Sequence, residues 1–160
     1  MLFRSCHSNH RVEATSDALV GTGDKSFCVS CHVEGDPGWT AAQQMHARLT
    51  DLDGNLQQVA ALLSRAERAG MEVSAARLTE SNAREQLIKA RVDVHAFDPQ
   101  RVDRGVAAGQ KLAAQARRAG EAALAELAFR RKGLGLSLVA IAFVVLSLWL
   151  LIRYLERPQE

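Results

Sequence analysis

From Gly133 to Ile152 the chain carries no charged residue, and nothing else in the sequence restricts its fold so strongly. As a helix, a stretch of this length rises about 30 Å, the thickness of a bilayer's hydrocarbon core. Arg130, Arg131 and Lys132 stand at one end and Arg153 at the other. Trp149 and Tyr154 lie near the second boundary, where amphipathic aromatic rings settle. The alternative is a buried core helix. A chain of 160 residues has too little other material to wrap a helix that is apolar all round. A transmembrane helix over 133–152 is therefore expected, with a short polar tail over 153–160.

Upstream of this stretch the pattern is helical and amphipathic. Asp36-Pro37-Gly38 is a turn signal. After it Met45, Leu49, Leu52, Leu56, Val59, Leu63 and Ala66 recur in alternating steps of four and three, the stripe of a long helix with a coiled-coil seam. Gly54 interrupts that helix at a cost of about 1 kcal/mol relative to Ala, and Gly70 suits its C-terminal cap. A second helix, Val73 to His95, carries Val73, Ala76, Ala83, Leu87, Ala90 and Val94 on one face. Two helices joined by so short a connection fold back as an antiparallel hairpin. Asp98 can cap a third helix with Pro99 in its first turn. Its stripe is Val102, Val106, Gly109, Ala113, Ala116, Gly120, Ala123 and Leu127, mostly small residues that permit close packing. The expected fold is mainly α: a short cofactor-binding loop segment over 1–38, a long antiparallel helical hairpin over 39–97, and a third helix over 98–132 running into the transmembrane helix. Opposite charges alternate along these helices and the formal net charge is +2, so no nucleic-acid partner is expected.

Residues 1–38 hold five glycine and proline positions, namely Gly21, Gly23, Gly35, Pro37 and Gly38, and little helical periodicity. So short a segment cannot fold on its own apolar surface and needs a staple. All three cysteines lie here: Cys6, Cys28 and Cys31. Cys28-Val29-Ser30-Cys31-His32 offers two thiols for the two vinyl groups of a haem and an imidazole for its iron, on one short turn. Haem c bound through Cys28 and Cys31 with His32 as axial ligand is the expectation. The competing one is zinc held by Cys6, Cys28 and Cys31 with His10 or His32 in a tetrahedral set. A Cys-x-x-Cys redox pair is disfavoured, because no strand–helix unit of a thioredoxin-like fold surrounds it. The sixth haem ligand would be His10, His95 or His46; Met45 and Met71 are thioether alternatives, although Met45 fits the helix seam.

Cys6-His7-Ser8-Asn9-His10 resembles the Cys-x-x-Cys-His-x-x-His element of multihaem c-type cytochromes, and residues 3–39 look like the last two haem motifs of such a protein. The helices and terminal anchor are similar to the tail of membrane-bound multihaem cytochromes of anaerobic or metal-respiring bacteria. The resemblance implies a second haem at Cys6 with His7 as its axial ligand and His10 as a distal ligand. Phe3 stands where the family pattern has Cys, so Cys6 would form a single thioether.

Haem of this type is attached outside the bacterial inner membrane, yet residues 1–7 lack the apolar run of an export signal. A longer parent with an N-terminal portion upstream is expected. The basic residues before the span outnumber Arg153 and Arg157 after it, which favours a cytoplasmic N-terminal region. Long translocated domains largely escape that bias, and the haem motif places the region in the periplasm. The resulting expectation is a single-pass electron-transfer protein rather than an enzyme, or the redox subunit of a reductase complex. Its partners would be a quinol-oxidising membrane protein and a periplasmic cytochrome or reductase. The alternative is a zinc-stapled helical interaction protein on a membrane anchor.

Overall fold

A computed structural model describes residues 15–156. Three α-helices and no strands are found among the described residues: α1 (Pro37–Arg68), α2 (Ser74–Asp93) and α3 (Pro99–Leu155). Short 3₁₀ turns precede α1 at Asp17–Leu19 and Cys28–Ser30, and a third, Val94–Ala96, extends α2. The mainly α expectation, with a hairpin and a third helix continuing into the apolar stretch, is met.

The helix ends follow from local chemistry. Asp36 caps α1 by accepting from the Trp39 N–H at 2.6 Å, with Pro37 in the first turn. At the other end Gly70 takes φ +80°. Its N–H donates to the Glu67 carbonyl at 2.9 Å and the Met71 N–H to the Ala66 carbonyl at 3.1 Å, the paired bonds of a glycine-terminated helix. Asp98 caps α3 through the Gln100 N–H at 2.9 Å. The link between α2 and α3 turns at Phe97, a non-glycine residue at φ 53°.

The seam residues of all three helices meet in one core. Leu49, Leu52, Leu56, Val59, Leu63 and Ala66 of α1 are fully buried, against Ala83 and Ala90 of α2 and Val102 and Ala116 of α3. Small residues on α3 let the axes approach: a Cβ added at Gly109 would lie 2.7 Å from Leu52 Cδ2. α1 and α3 run in the same direction. Arg48 pairs with Asp103 at 3.5 Å. Further along, Gln110 donates to Asp51 at 2.7 Å and accepts from Asn55 at 2.9 Å, and Arg117 donates to Gln58 at 2.9 Å.

Beyond Leu127 the third helix leaves the bundle and continues without a break through the apolar stretch. That stretch is long and apolar enough to cross a membrane and none of it is buried within the molecule. Both of its serines return their hydroxyls to the helix, Ser137 to the Gly133 carbonyl at 3.0 Å and Ser147 to the Phe143 carbonyl at 2.9 Å. Neither serine hydroxyl is left to seek water. Arg153 lies 5.0 Å from the Trp149 ring centroid at its far end.

Candidate functional site

The cysteine motif forms a single tight turn ahead of α1. The Cys31 N–H donates to the Cys28 carbonyl at 3.2 Å and the His32 N–H to the same oxygen at 3.0 Å. This winds the backbone into one 3₁₀ turn that carries both Cys28 and Cys31, three residues apart. Both thiols are unpaired, Cys28 half-buried and Cys31 exposed. The buried Ser26 hydroxyl donates to the Gly21 carbonyl and accepts from the Cys28 N–H at 3.1 Å. It fixes the start of the turn.

His32 is held from the helix side. Its Nδ1 lies 3.3 Å from Asp36 Oδ2, and its ring rests against Gly38 so closely that an added Cβ there would come within 2.1 Å of it. Gly38 is therefore part of the histidine's seat. The Trp39 N–H holds the Asp36 carboxyl below its ordinary pKa; desolvation opposes this, and the Val33 N–H and His32 reinforce it. An ionised Asp36 accepts a hydrogen bond from the Nδ1–H, and in that neutral tautomer Nε2 keeps its lone pair.

The other described histidines share this bonding. His46 Nδ1 lies 2.9 Å from the Asp17 carbonyl and His95 Nδ1 lies 3.1 Å from the Val92 carbonyl. A carbonyl can only accept, so Nδ1 is the donor in both contacts. His46 sits at the head of a shallow open groove that runs along α1 past Gly54 to Gln58. Gly21, at φ +110°, packs on His46; a Cβ there would stand 2.9 Å from the histidine Cβ.

The segment carrying the turn is clamped to the bundle. Asp17 accepts from Arg91 at 2.8 and 2.6 Å, and Arg91 also reaches Asp53 at 3.5 Å. This clamp reveals the register of the hairpin. α1 has 32 residues and α2 has 20, so the returning helix stops short of the start of α1. His95, four residues beyond Arg91, accordingly lies nearer the level of His46, which shares Asp17 with Arg91, while His32 and the cysteines stand at the start of α1. His46 comes to the clamp through Asp17. Asp17, Arg91, Asp36, Gly21 and Gly38 were absent from the sequence reading of the site. Asp36 and Gly38 had a local signal only as members of the Asp36-Pro37-Gly38 turn, and Gly21 only as a loop glycine.

Cys6, His7 and His10 lie outside the described residues, as therefore do the second haem, one distal candidate and the zinc set that draws on Cys6. Among the described residues no three His, Cys, Asp or Glu side chains converge to hold a metal ion. A covalently bound haem would draw on other chemistry: the two free thiols of one turn and the imidazole held by Asp36. No family model, curated protein or solved structure matches this chain.

Proposed function

We propose that this chain is a membrane-anchored c-type cytochrome that carries electrons in a respiratory chain. The observation that carries the reading is the Cys28–His32 turn: it holds two unpaired thiols three residues apart, and the Nδ1 of the adjacent imidazole is fixed by Asp36. Cys28 and Cys31 would hold the haem edge by thioethers and His32 would ligate the iron. A bound haem supplies one-electron redox chemistry. The chain's own residues orient the axial imidazole through Asp36 and Gly38, and clamp the cofactor segment through Asp17 and Arg91.

The sixth ligand is proposed to be histidine, with His10, His95 and His46 as the candidates and His10 first, because it alone has a motif resemblance. Stretch 133–152 would anchor the chain in the bacterial inner membrane as a single pass, with the haem-bearing region in the periplasm. Cys6 with His7 is the proposed place of a second haem. The partners would be a quinol-oxidising membrane protein on one side and a periplasmic cytochrome or reductase on the other. The chain acts alone or as the redox subunit of a reductase complex.

Absorbance and elemental analysis of protein exported with haem-attachment machinery test the proposal. The expected result is a Soret band and stoichiometric iron, with a low-spin spectrum that turns high-spin when the true distal histidine is replaced by Ala. Stoichiometric zinc with no Soret band would establish the zinc-stapled interaction protein instead.

A further inference from the structure

We infer that the helical bundle is a rigid stem that holds the Cys28–His32 turn far above the membrane, so that its direct electron partner is a protein-borne metal centre in the aqueous phase and not a quinone dissolved in the bilayer. The inference rests on the haem reading above for the chemistry and on the fold alone for the distance.

The distance follows from helix register. Arg48 and Asp103 are level with each other across α1 and α3. From Asp103 to the first residue of the apolar stretch, Gly133, α3 runs unbroken. About thirty residues of helix rise roughly 45 Å. In the opposite direction α1 continues from Arg48 back to Pro37, and about eleven residues add roughly 16 Å. The turn bearing Cys28, Cys31 and His32 sits at that end, its histidine seated on Gly38. It therefore stands about 60 Å from the start of the apolar stretch. A transmembrane tilt of about 20° lowers this by only a few Å.

The stem is built to stay upright. The same helix passes from the bundle into the apolar stretch, and its seam remains buried as far as Gly120, packed on Leu62 and Leu63. Met71, Ala123 and Leu124 continue the packing to the hairpin turn.

The stem also contains no relay. Residues 40–132 hold no Trp, Tyr or Cys, so an electron crossing it has no side chain on which to pause. Tunnelling through protein falls off exponentially with distance, and one step along the whole stem is far too slow for respiration. A single electron must instead leave a reduced metal centre of a protein at the height of the turn and arrive at the iron held by His32, or pass the other way. The partner centre loses the electron that the iron gains, and no bond or proton transfer is needed to balance the exchange. The turn exposes Val29 and Val33 to solvent, so a partner protein can approach it directly.

Two measurements on the full chain in lipid vesicles decide the matter. The first needs no haem: a fluorophore on Asp24→Cys, in a chain with Cys6, Cys28 and Cys31 replaced by Ser, is paired with an acceptor on lipid headgroups. Weak transfer, matching a height near the stem length, is expected. Strong transfer would mean the stem leans over at the Gly133–Gly135 junction and would overturn the inference. The second uses the haem-loaded chain with a bilayer-confined long-tailed quinol or its water-soluble tailless analogue. The analogue should reduce the haem readily and the confined quinol slower by orders of magnitude. Equal rates would overturn the inference even if the label measured a tall stem. Failure of the chain to take up haem at all would defeat the cytochrome reading, while the label would still decide the height of the turn.

Discussion

Two glycines in this bundle should respond to the same substitution with opposite signs. Gly54 lies in α1 with open space around it: an added Cβ meets nothing within 4 Å. Gly54→Ala removes the entropic cost of glycine in a helix and should stabilise the bundle by about 1 kcal/mol. Gly109 lies where α3 crosses α1. Its added Cβ would fall 2.7 Å from Leu52 Cδ2 and 3.3 Å from both Leu52 Cδ1 and Gln86 Cβ. Leu52 is completely buried, so its methyl cannot swing into solvent. Overpacking of this kind costs about 1–3 kcal/mol, offset by about 1 kcal/mol of helix propensity. Gly109→Ala should therefore be destabilising by up to about 2 kcal/mol, and the two variants should differ by about 1–3 kcal/mol. Urea unfolding of the full chain in detergent, followed by the circular dichroism lost as the bundle melts, measures both. If Gly109→Ala stabilises as much as Gly54→Ala, the close approach of α3 to Leu52 is wrong and the seam must pack in another register.

Three further outcomes are expected. Arg91→Ala should release the segment that carries the cysteine turn from the bundle; with the arginine side chain 41% exposed the global loss is only about 1 kcal/mol, but hydrogen exchange over residues 17–27 should quicken markedly. Asp36 has a folded pKa below its unfolded one, so its contribution is fully present above about pH 4 and is lost as pH falls through the depressed value; Asp36→Ala should remove this acid-side dependence in urea titrations of the full chain. Alkaline carbonate washing should leave the full chain with membranes and release a chain stopped after Arg131, and release of the full chain would count against the anchor.

Much of the architecture is readable from periodicity. The α1 stripe from Met45 to Ala66 is buried throughout, and the α3 stripe from Val102 to Gly120 is too. Gly70 and Asp98 end and begin helices by the local bonds that make such residues useful there. What escaped is long-range or breaks the pattern. Glu80 occupies the α2 seam between Ala76 and Ala83, buried and paired with Arg84. A hydrophobic period passes over a charged residue, although the seven-residue gap marks its place. The clamp of Arg91 on Asp17 and Asp53 depends on the unequal lengths of α1 and α2, which no local signal records. The same holds for Gly21 against His46 and Gly38 against His32. The cysteine motif itself was legible because its chemistry is compressed into five residues. The carboxylate that orients its histidine was visible only as part of a turn signal.

The central claim is that Cys28 and Cys31 bind haem covalently, and mass analysis of the denatured chain with in-gel haem peroxidase staining tests it most directly. Protein exported with haem-attachment machinery should keep its stain and a haem-sized mass increment after denaturation. Replacing Cys28 and Cys31 together by Ala should remove the increment assigned to that turn. An unmodified chain mass with no stain, or an increment left undiminished by the loss of both cysteines, would contradict covalent attachment at this turn.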